Sequence, residues 1–192
     1  MESRNVIKGN IVAKMISCND SDHMWDHGYE RPGLCPICHN VIEFIPNLEY
    51  KVRKNKNRDL MVTYDGFHIA SQKFKDFCDE NGYDGLKFVQ FPKSPKYYFF
   101  YPQKIYQLDY VRRKTTFGGH RSCCGLYDEV IGCNPAYKHP NNSVEGDDFI
   151  CRSEFYFGGG LNATPLIIIG KETFEKMLEF GLSGFHCYNV YE

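Results

Sequence analysis

The sequence predicts a mixed α+β fold: a largely antiparallel sheet with few short helices, pinned by a zinc-knuckle staple. Three observations carry that expectation. Phenylalanine and tyrosine, 15 and 14 residues, supply abundant strand-forming material. A strand-helix-strand pattern occurs twice, in "HIASQKFKDFCDENGYDGLKFVQF" from residue 68 and in "IIIGKETFEKMLEFGLSGFHCYNVY" from residue 167. Cysteines cluster in two distant turns, "CPIC" at 35–38 and "HRSCCG" at 120–125. With 192 residues and no low-complexity linker, residues 1–192 read as one domain, large enough to bury a core without disulfide staples.

Taken in order, "NVIKGNIVAKMI" reads as a short hairpin or bulged strand around Gly9 and Asn10, and "DSDHMWDHGYERPG" as loop. "VIEFIPNLEYKVRK", the polar "KNKNRD" and "LMVTY" together predict a hairpin whose turn carries Lys51, Arg53, Lys54, Lys56 and Arg58. Those cations are either a phosphate-contacting finger or a solvated tip. No aromatic or glycine pattern for nucleic acid accompanies them, which favours the tip. "SQKFKDFCDENG" predicts a short amphipathic helix with Ser71 as N-cap, Phe74, Phe77 and Cys78 inward and a stop at Gly82. "DGLKFVQF" follows as a strand, then "KYYFFYP" and "KIYQLDYV", whose rings serve either a core or an interface. In the second copy of the unit Phe174 matches Phe74 and Met177 matches Phe77. Gly181 and Gly184 match Gly82 and Gly85 after a one-residue slip.

Lys plus Arg number 23 and Asp plus Glu 24, so the balance gives no electrostatic case for a dedicated nucleic-acid or membrane-surface protein. The first twenty residues lack the continuous apolar core of a secretory signal, and no apolar run reaches the roughly 18 residues of a membrane span. A cytoplasmic location is therefore expected. Nine cysteines, an odd number in a reducing compartment, point to metal ligation for some and simple burial for others.

Cys35 and Cys38 have the spacing that lets two thiolates reach one tetrahedral ion from a tight turn. A redox dithiol or a pair of uncoordinated thiols are the competing readings. The strand-like "VIEFI" after the pair argues against the redox case, which needs a helix N-terminus to lower a thiol pKa. The position after the second cysteine favours a left-handed backbone, and His39 occupies it. A second half-site is offered by His120, Cys123 and Cys124, with Cys133 further on, and spacing does not choose between Cys123 and Cys124. Four protein ligands would close the site and make it structural. Cys18, Cys78, Cys151 and Cys187 read as core residues, and neither "FGGGLN" nor "IIIGKET" is a phosphate-binding loop.

On "CPICH" at 35–39, "CCGLYDEVIG" at 123–132, "DDFICRSEFYFGGG" at 147–160 and the closing "PLIIIGKETFEKMLEFGLSGFHCYNV", the chain resembles the double-CXXCG motif immunity proteins of bacteria. Two positions depart from that pattern: His39 stands where the first motif has Gly, and Arg121 where the second has its first Cys. The resemblance implies a structural zinc at Cys35, Cys38 and Cys124, with Cys123 or His120 as fourth ligand. It implies an immunity protein, not an enzyme, that neutralises a cognate toxin by stoichiometric capture. The acidic run Glu145, Asp147 and Asp148 would then mask a basic toxin groove, unless it is a solvated turn. Two alternatives stand beside this: a zinc or thiol enzyme using His120 with Cys123 or Cys124, and a nucleic-acid-binding zinc module built on the basic stretch from Lys51 to Arg58.

Overall fold

The computed structural model describes residues 9–20, 22–25, 31–53 and 58–192. Its sheet is organised around β1 (Ile11–Asp20). Ala13 and Met15 on one side of that strand enter one buried cluster, and Ile16 on the other side enters a second. Burial on both faces explains why "IVAKMI" reads as a nearly continuous apolar run instead of a clean alternation. Of the two readings at this point, a short hairpin or a bulged strand, the described residues show a strand whose register against the C-terminal strand, Phe185–Tyr191, shifts between Ile11 and Ala13. Residues 1–8, the other arm of a hairpin, lie outside the described residues.

The repeated unit is present twice. The first copy runs β3 (His68–Ser71), α1 (Gln72–Glu80), β4 (Leu86–Phe91). The second runs β11 (Thr164–Ile169), α3 (Lys171–Glu179), β12 (Phe185–Tyr191). In each, a strand from elsewhere lies antiparallel between the two: β5 (Ser94–Pro102) separates β3 from β4, and β1 separates β11 from β12. Even the register is shared. Phe99 faces Ile69 and Val89, while Met15 faces Ile168 and Tyr188.

Helix starts (72 and 171), the following glycines (82 and 181) and the strand-entry glycines (85 and 184) all keep one constant separation. The expected one-residue slip is therefore absent. Thr173 takes the place of Phe74, and Met177 that of Cys78. Aromatic identity does not mark the correspondence between the copies; the C-terminal cap does. In one copy Gly82 N donates to Asp79 O and Tyr83 N to Cys78 O, and in the other Gly181 N donates to Leu178 O and Leu182 N to Met177 O. Gly82 (φ 68°) and Gly181 (φ 73°) hold the left-handed conformation that ends each helix this way. Ser71 caps α1 as expected, its Oγ accepting from Phe74 N at 3.2 Å.

The two units share a core containing Phe74, Phe77, Phe100, Ile167, Met177 and Leu182, with Phe77 and Phe180 ring centroids 5.4 Å apart. Asp59 links them as well, accepting from Ser71 Oγ at 2.7 Å and from Ser183 N at 2.9 Å.

The hairpin expected over residues 41–64 does not form among the described residues. β2 (Leu60–Val62) pairs instead with β1 in parallel and with β3 antiparallel, so both its edges are taken. Residues 42–53 contain no strand. Pro46 interrupts them, and a turn follows in which Asn47 O accepts from Tyr50 N. Phe44, Tyr50 and Val52 nevertheless enter a buried cluster with Met61, Phe67, Ile69, Phe91 and Phe99. Lys54 and Lys56 lie outside the described residues.

The strand expected at "KIYQLDYV" is also shorter, ending after β6 (Ile105–Tyr106), because Asp109 caps a single helical turn, α2 (Tyr110–Arg113). Tyr98, Phe99, Phe100 and Tyr106 are buried, which assigns those rings to the core. The remaining strands are β7 (Thr116–Arg121), β8 (Leu126–Ile131), β9 (Ala136–Tyr137) and β10 (Ile150–Gly159). The resulting architecture is α+β, and most of its strand pairs are antiparallel. Among the described residues no helix is long and apolar enough to cross a membrane.

Candidate metal centre

Two turns far apart in sequence meet at one end of the sheet. The first is closed by an antiparallel bridge between Leu34 and Val41; Cys35 N donates to Asn40 O at 2.8 Å and His39 N to Cys35 O at 2.9 Å. Gly33 makes the entry to this turn, because its carbonyl accepts from both Ile42 N and Glu43 N. A Cβ there would lie 2.1 Å from Glu43 O. The second turn joins β7 to β8, with Gly125 N donating to Arg121 O at 2.7 Å.

Backbone conformation makes the two turns equivalent. His39 (φ 60°) and Gly125 (φ 72°) both occupy the left-handed position directly after Cys38 and Cys124. Arg121 therefore sits where Cys35 sits in the first turn, and the missing thiol is supplied by the neighbouring Cys123.

The four sulfurs of Cys35, Cys38, Cys123 and Cys124 lie within 4.8 Å of one another. Cys35 Sγ is 3.7 Å from Cys123 Sγ, and Cys38 Sγ is 3.5 Å from Cys124 Sγ. Metal–sulfur bonds of about 2.3 Å in a tetrahedron place sulfurs roughly 3.8 Å apart, so this spacing fits a tetrahedral ion. The donor set could hold a metal.

Electrostatics point the same way. The amides of Cys38 and Ile37 directed at Cys35 draw its thiol down to about 7. The contact with Cys38, together with burial, pushes Cys123 up to about 12, and burial raises Cys124. Four thiols this close cannot all ionise by themselves. A cation among them reverses that balance.

Surrounding residues fix the two turns to each other. Asn40 Nδ2 donates to Tyr127 O at 3.3 Å and to Asp128 Oδ1 at 3.4 Å. Arg121 pairs with Asp128 at 2.6 Å. Gly119 leaves room for that carboxylate, since a Cβ would lie 2.3 Å from Asp128 Oδ2. The hairpin is seated by aromatic contacts, with Phe117 ring centroids 4.9 Å from both Tyr127 and Phe155.

His120 stands outside the group of four. It precedes the turn on β7, opposite Tyr127, and its ring packs on that residue at 5.2 Å. The choice between Cys123 and Cys124 dissolves, because both belong to the cluster. In a strand adjacent side chains would diverge, but residues 122–125 form a turn, and turn geometry is what the spacing rule missed.

The other cysteines sit in apolar surroundings. Cys133 packs beside the cluster of Tyr106 and Ile168. Burial pushes Cys18 up to about 12 and Cys151 and Cys187 to about 11. Two of the three acids in the acidic run are absorbed locally, Asp147 pairing with Lys171 at 3.1 Å and Asp148 with Lys176 at 2.5 Å, while Glu145 is exposed. Asn40, Gly119 and Asp128 were not singled out by sequence reasoning, because each acts only once the two turns have met.

Compared with protein-family models and with curated proteins, the chain matches none. The reading of the site rests on its geometry.

Proposed function

We propose that this chain is a cytoplasmic immunity protein, a zinc-stapled scaffold that captures a cognate protein toxin stoichiometrically and transforms nothing. The observation that supports this reading most is the four-thiol cluster. With every tetrahedral position filled by protein there is no open place for substrate or water, which suits a structural ion and not a catalytic one. Four thiolates and no oxygen or nitrogen donor favour zinc among the common divalent ions. The double-CXXCG resemblance supplies the partner class.

The decisive experiment is co-expression with the product of the adjacent open reading frame. A one-to-one complex on gel filtration, with rescue of cells that express the neighbour alone at a loss of viability, is the expected result. No complex and no rescue would overturn the reading. Elemental analysis of protein purified without chelators should find one zinc per chain. Alkylating reagents should leave these four thiols untouched until a chelator is added; rapid modification of one of them would favour a thiol enzyme instead.

A further inference from the structure

On the opposite arm of the fold, residues 51–53 and the turn leading from β4 into β5 enclose a groove of about 810 Å³. Its rim carries Lys51, Arg53, Lys93 and Lys96, and among the described residues carboxylates reach the rim only through the ion pairs of Arg53 and Lys93. Val52, Pro95 and Tyr97 supply apolar wall. The two sides are fixed to each other, because Val52 N donates to Ser94 Oγ at 3.1 Å.

Two of the four cations are already occupied: Arg53 pairs with Asp22 at 2.6 Å and Lys93 with Glu49 at 2.8 Å. Lys51 and Lys96 are exposed and have no ion pair among the described residues. In a chain whose net charge is −1, this concentration of positive side chains is local. It also revises the role of Lys51 and Arg53. They do not stand on a solvated hairpin tip; they face a second basic segment across a cleft.

We infer that this groove docks an acidic segment of the partner protein, with carboxylates placed on Lys51 and Lys96 and an apolar side chain inserted between them. The inference rests on the proposed capture of a protein partner for its choice of occupant. Charge complementarity sets the sign of the ligand. The wall chooses between peptide and nucleic acid. Single-stranded nucleic acid is held by several exposed rings along a basic track, whereas here one half-buried ring, Tyr97, accompanies Val52 and Pro95. A peptide needs only a short charged rim and a pocket for one side chain.

The test uses the full, metal-loaded chain and a fluorescein-labelled peptide of alternating glutamate with one central leucine and one phenylalanine, read by anisotropy at low and moderate salt. Saturable binding that weakens with salt is expected. The double variant K51E/K96E should bind about tenfold more weakly or worse, while its metal content and melting temperature stay unchanged because both side chains are exposed. Equal binding by the wild type and the double variant would overturn the inference. So would tighter binding of a single-stranded oligonucleotide of equal charge, which would assign the groove to nucleic acid.

The adjacent-gene product separates this inference from the reading beneath it. Capture by the wild type that K51E/K96E loses supports both. Capture that the variant retains removes the groove and leaves the immunity reading standing. No capture by the wild type removes the immunity reading, and the peptide titration then decides the groove alone.

Discussion

The strand-helix-strand pair and the segment of residues 31–53 are held in place by different physics. Each repeated unit is regular structure with its own cap, its own C-terminal glycine and an apolar helix face buried against a sheet. Residues 22–25 and 31–53 have neither helix nor extended strand, so their polar groups find partners one at a time, and Arg31 Nη2 is buried with no hydrogen-bond partner among the described residues. Asp65 accepts from Met24 N at 2.9 Å and from Trp25 N at 3.1 Å, Arg31 Nη1 donates to Asp65 O, and the carbonyl of Gly33 takes two amides. Arg31 and Asp65, 3.6 Å apart and both buried, form a pair that would be costly to split. The comparison teaches where a metal held by the four thiols would matter. A segment that cannot stabilise itself through periodic hydrogen bonds gains most from a clamp, and Cys35 and Cys38 sit inside it.

The largest expected effect follows directly. Replacing Cys35 and Cys38 together with Ser should abolish metal binding and cost the clamped segment several kcal/mol, set against the order of ten kcal/mol that zinc contributes in small modules. Hydrogen exchange should show amides of residues 33–43 losing protection while β11, α3 and β12 keep theirs. Uniform loss across both regions would mean that the metal supports the whole fold and that the contrast is wrong. The converse cut is Phe77→Ala in the shared core of the two units. It should lower global stability in urea by about 3–5 kcal/mol, as burial of a full aromatic ring predicts, with zinc content unchanged.

This contrast also accounts for what could be read from the sequence. α1 was legible to the residue at its start, because Ser71, the spacing of Phe74, Phe77 and Cys78, and Gly82 are local signals. The thiol cluster was legible as two half-sites, because each turn carries its own spacing. The assignment of "LMVTY" to a hairpin failed because a strand's partner is a long-range choice: β1 and β3 offered both edges, and no nearby residue announces that. Residues 42–53 are rich in apolar residues for the same reason that strands are, burial, yet they reach the core as irregular chain.

Acid should expose a second asymmetry. His68, on β3 and buried, is pushed down to about 4 by desolvation, so it stays neutral in the fold while the unfolded chain protonates near 6.5. The unfolded state then binds more protons, and stability falls as pH drops from about 6.5 to about 4, by about 3 kcal/mol in the limit. Measured in the C35S/C38S background, where thiol protonation no longer releases a metal, the part of this slope nearest pH 6 belongs to His68. Asp84, Asp128 and Asp148, each held below the usual carboxylate range by a cationic or hydrogen-bonding partner, add to it near pH 4. His68→Gln should flatten the part nearest pH 6. A slope that survives there in His68→Gln would place the acid sensitivity in other groups.

The smallest effect tests the equivalence of the two thiol-bearing turns. A methyl added at Gly125 would meet nothing within 4 Å, so Gly125→Ala adds only the strain of an alanine at φ 72°, about 1–2 kcal/mol. His39 already carries a side chain at φ 60° in the first turn, so the fold tolerates such strain. Competition with a chromophoric chelator should therefore find zinc affinity in Gly125→Ala reduced by about tenfold. Gly119→Ala, two residues before Arg121, should cost more, because its methyl would strike the Asp128 carboxylate that holds Arg121. If the order were reversed, the left-handed position after the second cysteine would be doing something in the second turn that His39 does not do in the first.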